Sequence, residues 1–196
     1  MKKIKLFNGA IIYAHGEAKR FFMAGVHGEE RASVMALNTL LRDNLEDVWI
    51  LPCLNRKGFE ELNRFHGKYN LNSEFKPDTK LEFMKQLMDI VENERPKLFV
   101  DMHEDVELYF DYIWTTHDND FNDEVRLFCK KEDIGLLYCP EKFPEVPDVN
   151  RYIGASENWA RKICPAFTTE TAQYNSFNNR VRMNRKYFEF FMGVNI

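Results

Sequence analysis

The stretch Leu98-Phe99-Val100-Asp101-Met102-His103 is an apolar run that ends at a histidine. A short, continuous run of this kind is typical of a strand buried on both faces, as in a parallel sheet between helices. Two further runs have the same form, because Phe21–Gly25 precedes His27 and Ala166–Thr169 precedes Glu170. Ligands bind outside the carboxyl ends of strands in open α/β sheets, so we expect these three polar residues to share one site.

The rest of the chain alternates apolar runs with amphipathic segments, which predicts an α/β fold with a mixed, mostly parallel β-sheet flanked by helices. A length of 196 residues suits a single domain, here residues 1–196, with a substantial core. A hairpin is predicted at Ile4–Tyr13, and further strands at Phe21–Gly25, Val48–Leu51, Lys97–Met102, Tyr109–Thr115 and Ala166–Thr169. Helices are predicted at Arg31–Arg42, Ile153–Lys162 and Met183–Met192. One more helix is predicted to run from a capping box at Thr79–Glu82 to Pro96, and another to lie around Val125. The polar segment Asn55–Phe75 between them is predicted to be a long functional loop.

Composition excludes several classes of partner. The net charge of -4 argues against nucleic acid or an anionic membrane as the main partner. No stretch approaches the roughly 18 apolar residues that a membrane span needs. The four cysteines have neither a CxxC motif nor disulfide-framework spacing, so we interpret them as reduced thiols of a cytoplasmic protein. The oligomeric state is left open.

A pair of metal-type residues follows the first of these strands. His27 and Glu30 are three residues apart, and Gly28 between them allows a sharp turn of the backbone. With His103 as third ligand, the set could hold one Zn²⁺ and leave a position open for water. Asp101 lies two residues before His103 on the same strand face, where it could support the ligand histidine as a hydrogen-bond acceptor.

Two further residues would give such a site a hydrolytic chemistry. Catalytic zinc lowers the pKa of its water to about 7, and Glu170 could take the released proton and later deliver it to a leaving amine. Arg64, in the polar segment, could polarise a carbonyl and stabilise the oxyanion. The residues therefore indicate metal-assisted hydrolysis of an amide.

The same residues also fit a protein without a metal. His27 could be an ordinary loop histidine, and Glu29 and Glu30 could form an acidic helix start that the helix dipole favours. His103 could be a strand-end histidine bonded to Asp101. The HxxE pattern occurs by chance in many proteins, so it does not by itself decide between the two interpretations.

Six segments occur in an order that resembles a known family. They are His27-Gly28-Glu29-Glu30, Asn55-Arg56-Lys57-Gly58, Asn70-Leu71-Asn72-Ser73-Glu74-Phe75, Asp101-Met102-His103, Gly154-Ala155-Ser156-Glu157-Asn158-Trp159 and Phe167-Thr168-Thr169-Glu170-Thr171. This series resembles the motifs HGxE, Asn-Pro-x-Gly, Asp-Leu-Asn-Arg-x-Phe, Asp-Leu-His, a segment with an Asp-Trp pair, and Phe-Thr-x-Glu. They are the motifs of the zinc carboxypeptidase superfamily, which includes the aspartoacylase and succinylglutamate desuccinylase branch. The resemblance extends from about Phe21 to Thr171.

The resemblance implies a zinc-carboxypeptidase-like fold and a zinc-dependent hydrolase that cleaves an amide or peptide bond adjacent to a carboxylate-bearing residue. It implies one Zn²⁺ per chain, and a small peptide or N-acyl amino acid as substrate. The residues that it assigns are His27, Glu30 and His103 to the metal, Glu170 and Arg64 to catalysis, and Asn72, Arg64 and Tyr152 to substrate binding. Tyr152 could equally be a packing tyrosine.

The chain departs from the family pattern where the substrate's carboxylate would be held. An Asn–Arg pair grips that carboxylate in the family, but here Asn72 is followed by Ser73, and a hydroxyl cannot replace a bidentate guanidinium. The candidate substitutes are Arg151, Arg180, Arg182 and Arg185, although the last three could equally form a solvated helix face. The alternatives to a carboxypeptidase are an N-acyl amino acid deacylase, an activity that the same superfamily contains, and a metal-binding but inactive sensing module, which the Ser73 departure suggests.

Two acidic residues directly follow His103. Glu104 and Asp105 could be general bases or part of a second cation site. We interpret them instead as solvated loop acids.

Overall fold

The computed structural model describes residues 1–115, 120–138 and 155–196. Its strands form one eight-stranded sheet in the order β1-β2-β4-β3-β5-β8-β6-β7. The strands are β1 Lys2–Lys5, β2 Ile11–His15, β3 Arg20–Ala24, β4 Val48–Leu51, β5 Leu98–Asp105, β6 Tyr112–Thr115, β7 Gly135–Tyr138 and β8 Ala166–Ala172. The helices are α1 Arg31–Leu40, α2 Arg56–Glu61, α3 Glu82–Glu94, α4 Asn122–Glu132, α5 Ser156–Ala160 and α6 Phe177–Gly193, with a short 3-10 helix at Leu71–Ser73.

The sheet is parallel at its centre and mixed toward its edges. Strands β4, β3, β5 and β8 run parallel to one another, and β7 is parallel to β6. The hairpin β1–β2 and strand β6 join this centre in antiparallel pairs. The predicted α/β fold with a mixed, mostly parallel sheet is confirmed.

Both faces of the central strands are buried, as their continuous apolar runs predict. On β5, Phe99 packs on the face covered by α3, where Met84 and Leu87 are buried. Leu98, Val100 and Met102 pack on the opposite face, with α1 and α6. Successive strand residues point to opposite faces, so Asp101 and His103 share the face of Phe99 and Glu104 shares the other.

The segment Asn55–Phe75 is not the continuous loop that its low periodicity predicted. It contains helix α2 and the 3-10 helix. Helix α2 begins because the Asn55 side chain accepts a hydrogen bond from the Gly58 backbone N–H at 3.0 Å, which satisfies one of the free donors of the first turn. The six residues of α2 are too few for a 3.6-residue hydrophobic period to be visible in the sequence.

Several predicted boundaries also change. The capping box at Thr79–Glu82 does not form, because α3 begins after Leu81 and the Thr79 hydroxyl instead donates to Glu74 at 2.6 Å. Strand β5 continues to Asp105, and α6 begins at Phe177. Strand β7 was not predicted. Among the described residues, no helix is both long and apolar enough to cross a membrane.

Candidate active site

The three residues predicted at strand ends lie at neighbouring positions in the sheet. Strand β3 leads into His27, and it pairs with β5, which carries His103. Strand β5 pairs in turn with β8, with His103 directly opposite Glu170. Because paired residues share a face, His103 and Glu170 project on the same side of the sheet.

Two histidines converge on one carboxylate at this edge. His27 Nδ1 lies 2.6 Å from Glu30 Oε1, and His103 Nδ1 lies 3.0 Å from Glu30 Oε2. One possible ligand atom from each of the three residues lies within 4.8 Å of the others, and all three residues are buried. The sequence pattern is thus brought together into one compact group.

The second nitrogen of each ring is held by another side chain. His103 Nε2 lies 2.9 Å from Asp101 Oδ2, and His27 Nε2 lies 3.1 Å from Asn70 Oδ1. Both partners are oxygen acceptors, so each Nε2 is expected to donate its proton in this contact, which leaves Nδ1 as the nitrogen that would face a metal. Metal-ligating histidines are usually oriented by such contacts.

The turn that carries His27 and Glu30 is fixed by two glycines. A Cβ on Gly28 would lie 2.1 Å from the backbone carbon of Gly58, so only glycine fits there. The Gly28 N–H donates to the carbonyl of Arg64 at 3.4 Å. This close approach holds the His27–Glu30 turn against the segment that supplies Arg64.

The charges of this group depend on one another. Burial would raise the pKa of Glu30, but His27 and His103 lower it to about 2. Burial would lower the pKa of His103, but Asp101 and Glu30 raise it well above the usual value for histidine. The carboxylate is therefore held ionised between two imidazoles.

These donors fit a zinc ion. Two imidazole nitrogens and one carboxylate match the ligand set of a catalytic zinc site with an open position. Within the described parts of the chain, Glu30 Oε2 is buried and makes no hydrogen bond of good geometry, as expected of an oxygen that faces a cation. The orientation of the two Nδ1 atoms toward Glu30 supports the same assignment.

Glu170 stands beside this group as a candidate proton acceptor. Burial raises the pKa of its carboxyl well above the usual value, with Glu30, Asp105 and Asp101 adding to the shift and His103 opposing it. Its Oε2 atom is buried and has no hydrogen-bond partner among the described residues. A general base is expected to have such a raised pKa.

Arg64 contacts the acidic residues beside His27. Its Nη1 atom is 2.9 Å from Glu29 Oε1 and 3.7 Å from Glu30 Oε1, while 41% of its side chain is exposed. A guanidinium that is anchored at one end and open to solvent at the other could contact a substrate carbonyl.

No protein-family model matches this sequence, and a search of curated proteins found no match. Solved structures do match it. A candidate metallopeptidase from Shewanella denitrificans OS217 superposes with a TM-score of 0.74 at 20% identity, over 97% of this chain and 82% of that one. Murein-tripeptide amidase MpaA from Escherichia coli O157 superposes with a TM-score of 0.71 at 14% identity, over 98% of this chain and 90% of that one. Cell shape determinant protein Csd4 from Helicobacter pylori, as a Gln46His variant, gives a TM-score of 0.75 at 14% identity, over 98% of this chain and 54% of that one.

The chain has the zinc-carboxypeptidase-like fold. The fold that the six motifs implied is therefore confirmed.

In this zinc-carboxypeptidase-like fold, Asn72 lies next to the side chains that hold the His103 ring. Its Oδ1 atom accepts a hydrogen bond from the Ser156 backbone N–H at 3.3 Å, and the Ser156 hydroxyl donates to Asp101 Oδ2. Ser73 follows Asn72 in the same 3-10 helix. The predicted substrate residue Tyr152 lies outside the described residues, as does Arg151.

The three arginines of α6 lie on the face of the sheet opposite to His103, so they do not replace the carboxylate-binding arginine that the family has at the position of Ser73. Helix α6 packs on the face opposite to His103. Arg180 forms an ion pair there with Glu104, and Arg182 and Arg185 are exposed. The sequence did not reveal which face of the sheet α6 covers.

Sequence reasoning missed Glu157 as a residue of this face. Its Oε2 atom accepts from the Thr168 hydroxyl at 3.4 Å, and Thr168 lies opposite Asp101 in the sheet. Burial raises the pKa of Glu157, and Asp101 adds to the shift. The only signal in the sequence was its place in the segment Gly154–Trp159, before the last strand.

Glu104 is not the solvated loop acid that the sequence predicted. Strand β5 extends past it, and the residue is 2% exposed. Asp105 ends the strand, and its Oδ2 atom accepts from the Tyr112 hydroxyl at 2.7 Å.

We expect Asp101→Asn to weaken zinc binding about 10–100-fold, because the amide oxygen is a poorer acceptor for the His103 Nε2 proton. The dissociation constant can be measured by competition with a chromogenic chelator. Asp89→Asn, at an exposed position of α3, is the matched control and is expected to bind zinc like the wild type. Equal affinities in the two variants would show that Asp101 does not support a ligand.

Proposed function

We propose that this chain is a zinc-dependent hydrolase that cleaves an amide or peptide bond adjacent to a carboxylate-bearing residue of a small peptide, and that residues 1–196 form a single catalytic domain. The observation that carries the proposal is the pair of Nδ1 atoms directed at one buried carboxylate, with both Nε2 atoms held by oxygen acceptors. Its position at the carboxyl ends of parallel strands is where such folds bind ligands.

The proposed zinc ligands are His27, Glu30 and His103. A zinc ion held there would act as a Lewis acid and lower the pKa of water at the site. Glu170 would accept the proton of the attacking water and return it to the leaving amine, for which its raised pKa is suited. Arg64 would donate hydrogen bonds to the oxyanion that develops from the scissile carbonyl.

The substrate is proposed to be a small peptide. One relative of this fold is named a murein-tripeptide amidase, and Csd4 has been solved with a tripeptide bound. The described face offers the amide of Asn72 and the carboxylate of Glu157 near Asp101, and Ser73 stands where the family has its arginine.

Two other functions share the proposed zinc site. An N-acyl amino acid deacylase would share the proposed zinc chemistry and differ in the acyl group that it accepts. A sensing module would bind zinc without turnover, because its substrate clamp is incomplete. The cytoplasmic location stays a prediction.

Turnover on a substrate panel tests the proposal. The zinc-loaded protein should hydrolyse tripeptides and should leave N-acetyl and N-succinyl amino acids intact. Hydrolysis of the acyl amino acids alone would favour the deacylase. Zinc bound at one per chain without any turnover would favour the sensing module.

We expect Arg64→Lys to lower kcat about 100–1,000-fold with a smaller change in KM, because a single ammonium cannot reproduce the hydrogen bonds of the guanidinium to the oxyanion. Steady-state kinetics on the best tripeptide measures kcat and KM separately. Arg42→Lys, at an exposed position after α1, is the control. A rise in KM with unchanged kcat would instead assign Arg64 to ground-state binding.

A further inference from the structure

A second buried carboxylate lies directly behind the candidate metal site. Glu104 follows His103 on β5, but its side chain points to the opposite face of the sheet. That side chain is 0% exposed. The proposed hydrolysis gives Glu104 no role, and a buried ionised group requires strong partners.

Both carboxylate oxygens of Glu104 have partners from distant segments. Oε1 accepts a hydrogen bond from the Ala32 backbone N–H, and Oε2 forms an ion pair with Arg180 Nη1. Ala32 is the second residue of α1. The first N–H groups of a helix have no partner within the helix, and a negative charge beside them is stabilising.

Helix α1 needs this partner because its own N-cap residue is otherwise engaged. The N-cap is Glu30, whose side chain makes no capping hydrogen bond. It is directed instead at His27 and His103. An N-cap side chain normally accepts from the second or third N–H of the helix, and here Glu104 takes that role from 72 residues away.

Arg180 holds Glu104 in place from α6. Its Nε atom donates to the Asn175 carbonyl at 3.2 Å, and its guanidinium lies 5.6 Å from the Phe177 ring centroid. Only 16% of its side chain is exposed. The guanidinium is thus held by two contacts besides Glu104, so the carboxylate that it binds is held in place as well.

The end of β5 therefore connects His103 with Glu30, two residues of the candidate site. His103 projects from one face, and the next residue anchors the start of the helix that Glu30 precedes. We propose that Glu104 and Arg180 are positioning residues, which hold the start of α1 so that the carboxylate of Glu30 stays at ligand distance from His103. This proposal rests on the proposed zinc site.

The expected effect is on metal affinity rather than on folding alone. Zinc ligand distances tolerate changes of about 0.2 Å, so a small shift of the start of α1 would misplace Glu30. Loss of contacts that orient a ligand typically lowers metal affinity about 10–100-fold. The same loss is expected from either partner, because each acts through the other.

The test measures the zinc dissociation constants of Glu104→Gln and Arg180→Met by chelator competition, together with the thermal unfolding of each metal-free protein. Glutamine keeps the shape of Glu104 and an acceptor for Ala32, but it removes the charge that Arg180 binds. We expect a 10–100-fold weaker affinity in each variant, and a double variant no weaker than the single ones. If Glu104→Gln does not fold, Arg180→Lys serves as the second variant. Lysine keeps the positive charge but loses the guanidinium group with its several donors, so the loss of zinc affinity should be smaller.

Two controls separate positioning from general destabilisation. Phe191→Leu removes core packing from α6 without touching Glu104, and Arg182→Met removes an exposed arginine of the same helix. Both should bind zinc like the wild type, even where Phe191→Leu lowers the unfolding temperature. Unchanged zinc affinity in folded Glu104→Gln and Arg180→Met, with tight binding by the wild type, would overturn this proposal alone. Absence of zinc binding by the wild type would contradict the proposed function, and this proposal with it.

Discussion

Replacement of His27 by alanine is expected to abolish stoichiometric zinc binding and to reduce turnover to the background rate. Catalytic zinc sites have three protein ligands, and His27 is one of the three proposed here. The change also takes one partner from Glu30, which is 1% exposed. A buried polar group that loses its hydrogen-bond partner typically costs about 1–3 kcal/mol, and more when it is charged, so the unfolding temperature of the metal-free protein should fall as well.

The control for this experiment is His15→Ala. His15 lies on β2, the strand next to the β1 edge of the sheet. Its replacement should leave zinc content and turnover unchanged. Metal removal from the wild type by a chelator should also abolish turnover, and added zinc should restore it. A His27→Ala protein with one zinc per chain and normal turnover would contradict the assignment of His27.

Glu170→Gln is expected to lower kcat by about 100- to 10,000-fold while zinc affinity stays close to that of the wild type. Glutamine has nearly the shape of glutamate but cannot accept the proton of the attacking water. Burial raises the pKa of Glu170 well above its usual value, as expected of a carboxyl that is not held in a permanent ion pair. Chelator competition and steady-state kinetics on the same samples would measure both quantities.

Glu189→Gln, at an exposed position of α6, is the matched control. It should retain both zinc affinity and kcat. A Glu170→Gln variant with full turnover would remove Glu170 from the mechanism. A variant that loses zinc instead would show that Glu170 supports the metal and is not the general base.

The sequence was sufficient to predict the centre of the fold. The apolar runs before His27, His103 and Glu170 predicted buried strands, and these strands are the adjacent β3, β5 and β8. Because parallel strands end at a common edge, the residues that follow them were expected to meet, and the structure brings them together. Strand order was not predictable locally, since β8 lies between β5 and β6 although many residues separate it from both.

The residues that were misjudged depend on long-range contacts. Nothing in the local pattern shows which face of the sheet α6 covers, so Arg180 was a candidate for the substrate clamp although it binds Glu104. Glu104 itself looked like a surface acid, because its partners are a backbone N–H 72 residues away and an arginine of another helix. Glu157 was overlooked for the same reason, since only the packing of α5 on the sheet brings it near Thr168.

The central claim is that one zinc ion binds between His27, Glu30 and His103. A crystal structure of the wild-type protein grown with zinc, with anomalous data collected at the zinc absorption edge, tests it most directly. The account predicts one strong anomalous peak per chain, about 2.0–2.2 Å from His27 Nδ1, His103 Nδ1 and a Glu30 carboxylate oxygen. Absence of a peak at this position, or a peak coordinated by other residues, would contradict the account.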